Sequence, residues 1–237
     1  MNMTPGEFVK MVAQVLRLPE VTTSGYDKNL RVGGFRSKSG RGSGAARVTP
    51  RDAAHLLVAI LGSAQVKDAV RTVERYGEAQ PDPSTSSERL FRDLGLSELT
   101  ALPANHNFID AVEALIVSAS TGSLSMHLAE EAKQARGQKL AVAPMIEVAA
   151  HTPGTLGSIR VAGIKTGRKV TTAEVRYALP GPWSRRHGSK MPPKHELDAW
   201  EASVRSHRIE GLDQYRRITE PMLLRIAEAF TADPEKA

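Results

Sequence analysis

Hydrophobic positions recur at a helical spacing through the first third of the chain. Residues 7–17, EFVKMVAQVLR, repeat apolar side chains every three or four positions, which predicts an amphipathic helix. Pro19 interrupts this pattern, and a threonine or serine among residues 22–24 can cap a second helix. That helix is predicted to end at Gly33, where two consecutive glycines form a helix stop signal.

Two further helices are predicted before residue 78. The segment VTPRDAAHLLVAILGS places Thr49 as the N-cap, Pro50 at the first helical position and Asp52 where a capping-box acid belongs. The segment VKDAVRTVERYG, from Val66, repeats the helical spacing. Residues 1–77 are therefore predicted to form one helical domain, followed by a Pro- and Ser-rich linker over 78–88.

The remaining residues, 89–237, combine helical and alternating patterns. Helices are predicted for SERLFRDLG, NFIDAVEALIVSAS, SMHLAEEAKQARG and EPMLLRIAEAF. Apolar residues alternate with polar ones in PMIEVAAH, GSIRVAGI and TTAEVRYALPG, which predicts a small antiparallel sheet of three strands. The expected fold class is α+β and mostly helical, and the second part is expected to support oligomerisation or to receive an effector.

Composition narrows the classes of function. The 237 residues carry a net charge of +6 and contain no cysteine, which excludes thiol catalysis and cysteine-bound zinc. No apolar run reaches the length of about 18 residues that a membrane span needs, and no signal peptide is recognised at the start. We therefore expect a cytoplasmic protein with no membrane partner. No phosphate loop, metal-ligand spacing or nucleophile motif is found, so we expect no cofactor, no metal and no enzymatic activity.

The positive charge is concentrated in residues 26–52, YDKNLRVGGFRSKSGRGSGAARVTPRD. Five glycines lie among the basic residues, and no acid follows Asp27 until Asp52. Basic side chains neutralise phosphates, and glycines let backbone N–H groups approach them closely. The basic residues are Lys28, Arg31, Arg36, Lys38, Arg41, Arg47 and Arg51.

The order of these elements resembles the winged helix-turn-helix family of DNA-binding proteins. The string VAQVLRLPEVTTSGYDKNLRVGGF is similar to the helix-turn-helix, and RSKSGRGSGAARVT is similar to the basic wing, with strands at FRSK and ARVT. The block also resembles helix-turn-helix proteins found in proteobacterial prophages. The resemblance covers residues 7–52 only, and the turn contains Pro19 and Glu20 where the family often has a glycine.

The resemblance implies that the second helix enters the major groove and the wing holds phosphates. Residues expected in the groove are Thr22, Thr23, Ser24, Lys28, Asn29 and Arg31. Residues expected at phosphates are Arg36, Lys38, Arg41 and Arg47. The alternative for residues 36–47 is a disordered basic loop that joins two helices.

The expected function is a transcriptional regulator, phage or prophage associated, that binds double-stranded DNA. A homo-oligomer is expected, with a dimer favoured because two half-sites multiply affinity. The alternative is a phage DNA-packaging protein, similar to a small terminase subunit, that binds viral DNA and assembles into a ring. A second basic stretch at residues 183–195 has an undecided role, either a solvated loop or a secondary contact.

Overall fold

The computed structural model describes residues 3–37, 47–82, 91, 96–135, 145–152, 154–166, 169–181, 193–207 and 214–231. The helices are α1 (Pro5–Leu16), α2 (Glu20–Val32), α3 (Pro50–Gly62), α4 (Ala69–Glu78), α5 (Ser97–Thr100), α6 (Phe108–Thr121), α7 (Ser123–Ala135), α8 (Lys194–His207) and α9 (Glu220–Ala227). The strands are β1 (Gln80–Pro81), β2 (Met145–Thr152), β3 (Leu156–Thr166), β4 (Lys169–Ala178) and β5 (Gln214–Thr219). Short 3-10 helices cover Val66–Asp68 and Glu228–Phe230.

Helix α3 lies at the centre of the molecule. Every residue from Asp52 to Gly62 except His55 is buried, so this helix has a hydrophobic surface all round rather than a single apolar stripe. It packs against α2 and α4 on one side, against α6, and against strands β2 and β5. Because α3 is enclosed in this way, its neighbours share one continuous hydrophobic core that runs from Phe8 to Ala229.

The five-stranded sheet is antiparallel throughout, in the order β1-β4-β3-β2-β5. Strands β2, β3 and β4 form the predicted meander, with Val148 opposite Ile159 and Ile159 opposite Val175. Strand β5 pairs with the free edge of β2, and β1 pairs with β4. One face of the sheet contributes Ile146, Val148, Ile159, Val161, Val175, Tyr177 and Ile218 to the core.

Side chains from the sheet bind the carboxyl end of α3. The hydroxyl of Thr152 donates a hydrogen bond of 2.6 Å to the carbonyl of Gly62. One guanidinium nitrogen of Arg216 lies 2.8 Å from the carbonyl oxygen of Ile60 and 2.9 Å from that of Ser63. The last carbonyl groups of a helix have no hydrogen-bond partner within it. Because water cannot reach these carbonyls, Thr152 and Arg216 supply their hydrogen bonds.

A buried aromatic group joins the sheet to the helices. The rings of Tyr76, Phe108, Tyr177 and His106 follow one another with centroid separations of 5.2–5.6 Å. The hydroxyl of Tyr76 donates to the carbonyls of His151 and Leu156 at the β2–β3 turn. Burial lowers the pKa of His106, although its hydrogen bond to the Pro103 carbonyl acts in the opposite direction. This histidine is therefore a neutral core residue that binds Tyr177.

The α+β class and the meander are confirmed, whereas the winged-helix domain is not. Residues 35–37 and 47–49, which begin and end the predicted wing, contain no strand. The rest of the predicted wing, residues 38–46, lies outside the described residues, as does most of SERLFRDLG. Helices α5 and α8 and strands β1 and β5 were not predicted from the sequence, and α8 begins at Lys194, within the second basic stretch.

Core contacts cross both predicted domain boundaries. Phe8 in α1 contacts the ring of Phe230, with centroids 5.9 Å apart, and Arg51 in α3 binds Asp110 in α6 at 2.6 Å. The segment predicted as a linker begins within the fold, because Gln80 and Pro81 pair with β4. The division of the chain into separate domains at 1–77 and 89–237 remains a prediction.

No single helix among the described residues is long and apolar enough to cross a membrane. Residues Phe108–Thr121 and Ser123–Glu130 reach the required length only together, and they are bent by 80° where they meet.

The close approach of β3 to α6 gives a test of the fold. A Cβ atom at Gly157 would lie 2.7 Å from the Phe108 ring, so Gly157→Ala should destabilise the protein by about 1–3 kcal/mol through overpacking. Gly154→Ala in the same β2–β3 connection is the matched control, since a Cβ there meets nothing within 4 Å. Urea unfolding followed by circular dichroism measures both, and equal midpoints for the two variants would contradict the packing of β3 on α6.

Candidate nucleic-acid interface

Helices α1 and α2 form the helix-turn-helix part of the predicted site. A three-residue connection, Arg17–Pro19, joins them, and Arg17 has a left-handed backbone with φ 54°. The N–H of Leu18 donates to the carbonyl of Ala13 at 2.9 Å, which closes α1 and starts the turn. Ala13 is buried, as expected for a small residue where two helices approach.

Helix α2 begins earlier than the sequence indicated. Its first residue is Glu20 and its N-cap is Pro19, so Thr22, Thr23 and Ser24 lie inside the helix rather than before it. Thr23 is fully buried, and its hydroxyl donates to the carbonyl of Pro19. Its expected place in a DNA groove is therefore wrong, because this side chain faces the core. Thr22 is half-buried on the flank of α2.

The exposed face of α2 retains a subset of the predicted residues. Ser24, Lys28 and Arg31 are all exposed and follow one another at spacings of four and three residues, which places them on one side of the helix. Tyr26 and Leu30 occupy the opposite side and are buried, as expected. The exposed face defined by Ser24, Lys28 and Arg31 is called the α2 face below.

Asn29 has a structural partner. Its amide nitrogen donates a hydrogen bond of 2.8 Å to the carbonyl of Val66, in the 3-10 helix beside α2. Gly25 lies one turn earlier on the same side, and a Cβ there would be 2.9 Å from the Val66 side chain. The unfavourable glycine in α2 is thus explained by close packing. The Asn29 amide therefore has a structural role in the fold, and its expected groove contact stays a prediction.

Arg36 also differs from its predicted role. It is 8% exposed, and its Nε atom lies 2.9 Å from Asp27 Oδ1 in α2. Within the described residues this pair is held by charge rather than by an aligned hydrogen bond. Burial raises the pKa of Asp27, although the guanidinium groups of Arg36 and Arg31 oppose the rise. Arg36 therefore neutralises an acid on the flank of α2 instead of holding a phosphate.

The carboxylate of Asp52 binds Ser37 and Thr49, which precede and follow the basic segment 38–46. One oxygen accepts from the backbone N–H of Ser37 at 2.8 Å, and the other accepts from the N–H of Thr49 at 2.9 Å. The Thr49 hydroxyl in turn accepts from the N–H of Asp52, which completes the predicted capping box of α3. Ser37 and Thr49, on either side of residues 38–46, are thereby fixed at the amino end of the central helix.

A second contact holds the residues before this segment. The ring of His55 in α3 lies edge-on to Phe35, with centroids 5.3 Å apart. Its Nδ1 atom lies 2.8 Å from the Phe35 carbonyl, and a carbonyl only accepts, so Nδ1 carries the proton. Burial lowers the pKa of His55, with the Phe35 carbonyl acting in the opposite direction. The chain that leaves α2 is thus attached to α3 at two successive points.

The exposed charged residues of α2 and of the segments beside it in sequence are mostly basic. Arg17 in the turn and Arg47 at the end of the basic segment are exposed, along with Lys28 and Arg31. Glu20 is the exposed acid of α2, since Asp27 is paired with Arg36. Arg51 does not join the group, because it binds Asp110 at 2.6 Å and Glu113 at 2.9 Å.

The ten predicted site residues therefore differ in their exposure to solvent. Ser24, Lys28, Arg31 and Arg47 are exposed. Thr23 and Arg36 are buried, Thr22 and Asn29 are half-buried, and Lys38 and Arg41 lie outside the described residues. The sequence interpretation missed the exposed Val21 and Val32 on α2, although both follow from the helical spacing once α2 starts at Glu20.

The described residues contain no group of three or more His, Cys, Asp or Glu side chains placed to hold a metal ion. Comparison with known proteins found no matching family model, no matching curated protein and no matching solved structure.

Asp52 provides a test that depends on pH. Burial alone raises the pKa of this carboxyl, but hydrogen bonds from Thr49 and Ser37 hold it below its ordinary value of 3.8. A lowered folded-state pKa stabilises the protein above the unfolded-state value, and this contribution is lost as pH falls. We expect Asp52→Asn to cost about 1–3 kcal/mol at neutral pH. The difference from wild type should shrink as pH falls below 3.8.

The control for this measurement is Glu7→Gln. Glu7 fills the same capping-box position in α1 and its pKa is also lowered, by hydrogen bonds from Thr4, but it is exposed. Its substitution should have a much smaller effect on the unfolding free energy. A pH-independent difference between wild type and Asp52→Asn would contradict the account.

Asn29→Ala tests the structural role of the Asn29 amide. The variant leaves the Val66 carbonyl without its donor, so unfolding free energy should fall by about 1 kcal/mol or more. The neighbouring exposed Lys28→Ala should change it by no more than about 0.5 kcal/mol. Chemical denaturation of both variants makes the comparison, and equal stabilities would show that the contact contributes nothing.

Proposed function

We propose that this protein binds double-stranded DNA through the α2 face and acts as a transcriptional regulator. The observation that carries the proposal is the placement of Ser24, Lys28 and Arg31 on one exposed side of a helix that follows a three-residue turn. The proposal also uses the attachment of both ends of the basic segment 38–46 to α3 by Asp52.

The α2 face has the chemistry that base edges require. Lysine and arginine donate to the O6 and N7 atoms of guanine, and serine can donate or accept at any base. A recognition helix contacts bases with its amino-terminal residues. In the described residues no side chain caps the first turn of α2, so its positive dipole end is directed toward solvent, where it favours phosphate.

The basic segment supplies the contact to the backbone of DNA in this proposal. Arg47 is exposed at its carboxyl end, and the sequence places Lys38 and Arg41 within it. In this proposal the Asp52 carboxylate, by holding Ser37 and Thr49 on either side of this segment, lets the groove-reading and phosphate-binding parts reach one duplex together. Because charge neutralisation releases counterions, affinity should fall steeply as salt rises.

A dimer suits this proposal, because two α2 faces related by a two-fold axis would read two half-sites. The packaging alternative differs in assembly, since it requires a closed ring. Light scattering of the purified protein distinguishes a dimer from a ring of higher order.

The deciding experiment is fluorescence anisotropy with a labelled duplex, followed by selection of bound sites from random duplex DNA. Removing two base-contacting cations in Lys28→Ala/Arg31→Ala should weaken binding to a selected site at least about tenfold, since each good base contact contributes about 1–3 kcal/mol. Discrimination between the selected site and random DNA should fall with it.

The matched control is Lys133→Ala/Arg225→Ala, which removes the same charge from exposed side chains on α7 and α9. This variant should bind as wild type does, apart from a small change that follows net charge. Equal losses of affinity in the two double variants would show that the interaction is nonspecific charge attraction. Duplex binding that is unchanged in Lys28→Ala/Arg31→Ala would refute the α2 face as the site.

A further inference from the structure

Helix α2 exposes two valines beside its charged residues. Val21 and Val32 are each 79% exposed, the highest values among the exposed large hydrophobic residues of the described chain. With Lys28 they lie at spacings of seven and four residues, so the three side chains form a row along the centre of the exposed side. A β-branched side chain has a lower helix propensity than alanine, so helix stability does not explain the two exposed valines.

The two valines differ in where they lie along the helix. Val21 is the second residue of α2, one turn before Ser24, at the end whose backbone N–H groups point outward. Val32 is the last residue of α2 and is followed by Gly33, where a Cβ would lie 2.6 Å from the side chain of Val70 in α4. Both valines project into solvent to the same extent, and the amino end of a recognition helix is the part that contacts bases.

We propose that Val21 contacts the 5-methyl group of a thymine in the major groove. This inference rests on the proposed function and adds to it the identity of one base. Thymine is the base with an apolar group in that groove, and a small apolar side chain is the complement that recognises it. Ser24, Lys28 and Arg31 on the same side supply the polar and cationic contacts that bring an apolar side chain to a nucleic acid rather than to an apolar protein surface.

The proposed contact predicts that binding weakens when the thymine methyl group is removed. Packing one methyl group against Val21 removes both from water, and burying one such group contributes about fourfold in affinity, or about 0.8 kcal/mol. Uracil has the same hydrogen-bonding groups as thymine and lacks only the methyl. The effect of exchanging thymine for uracil in the duplex therefore isolates this contact from all the others.

The experiment measures binding of the full chain to a selected duplex in which each thymine is replaced in turn by deoxyuridine. Where no site is selected, the probe is a random-sequence duplex made with thymine or with deoxyuridine throughout. Wild type should bind about fourfold more weakly when one particular methyl is removed. Val21→Ala should bind the thymine and uracil duplexes equally, and Val32→Ala, of equal exposure and on the same face, should keep the wild-type preference.

The failure of this inference differs from failure of the proposed function. Duplex binding that needs Lys28 and Arg31 but is indifferent to every methyl group overturns the thymine contact and leaves DNA binding intact. A methyl preference that survives in Val21→Ala also overturns it. A change of oligomeric state in Val21→Ala with unchanged methyl preference would assign this residue to a protein contact, and no duplex binding at all would overturn both proposals.

Discussion

The enclosure of α3 is the constraint on which the rest of the structure depends. From Asp52 to Gly62 this helix is buried except at His55, so N–H and carbonyl groups near its ends that have no partner within the helix must bind protein. At its amino end Thr49 and Asp52 meet this requirement, and at its carboxyl end Thr152 and Arg216 do. Thr152 and Arg216 belong to β2 and β5, and Asp52 also binds Ser37. These contacts therefore determine where the neighbouring segments lie relative to the central helix.

The amino end of α3 determines the candidate site. Asp52 could satisfy a capping box with Thr49 alone, yet its other oxygen accepts from Ser37. The chain leaving α2 is thus brought back to α3, and Phe35 is held there by His55. As a result Phe35 and Ser37, which follow α2, and Thr49, which follows the basic segment, all lie at one end of α3. The contacts that stabilise the core and those that position the proposed DNA-binding surface are the same.

The carboxyl end of α3 determines the sheet in a similar way. Arg216 in β5 reaches back to the carbonyls of Ile60 and Ser63, which ties the edge strand to the helix. On the other face of the sheet, Glu147 is buried and binds Arg217 and the hydroxyl of Tyr215. Burial and the contact with Glu147 raise the pKa of Tyr215 to about 12, so its hydroxyl stays a donor at neutral pH. Polar residues of β5 therefore secure both faces of an otherwise short strand.

Sequence patterns predicted the structural features that depend on residues close together in the sequence. The capping box at Thr49 and the alternation in β2 to β4 are of this kind, and both are confirmed. Strand β5 was missed because it exists through pairing with β2 and through Arg216, which binds α3 about 150 residues away in sequence.

The roles of individual polar side chains could not be predicted from the sequence either. Asn29 and Arg36 have side chains that suit DNA, but the same groups suit Val66 and Asp27, and only the folded chain shows which partner is near. Exposure of Lys28 and Arg31 was predictable, since it follows from the buried positions of Tyr26 and Leu30 on the opposite side.

The central claim is that the α2 face and the basic segment anchored by Asp52 form one DNA-binding surface. Hydrogen exchange of the full chain with and without duplex DNA measures this most directly. The account predicts slower exchange on DNA binding in peptides that cover residues 17–49, and unchanged exchange in α6 and β5 on the other side of α3. Protection confined to other elements, or none in α2 at saturating DNA, would contradict it.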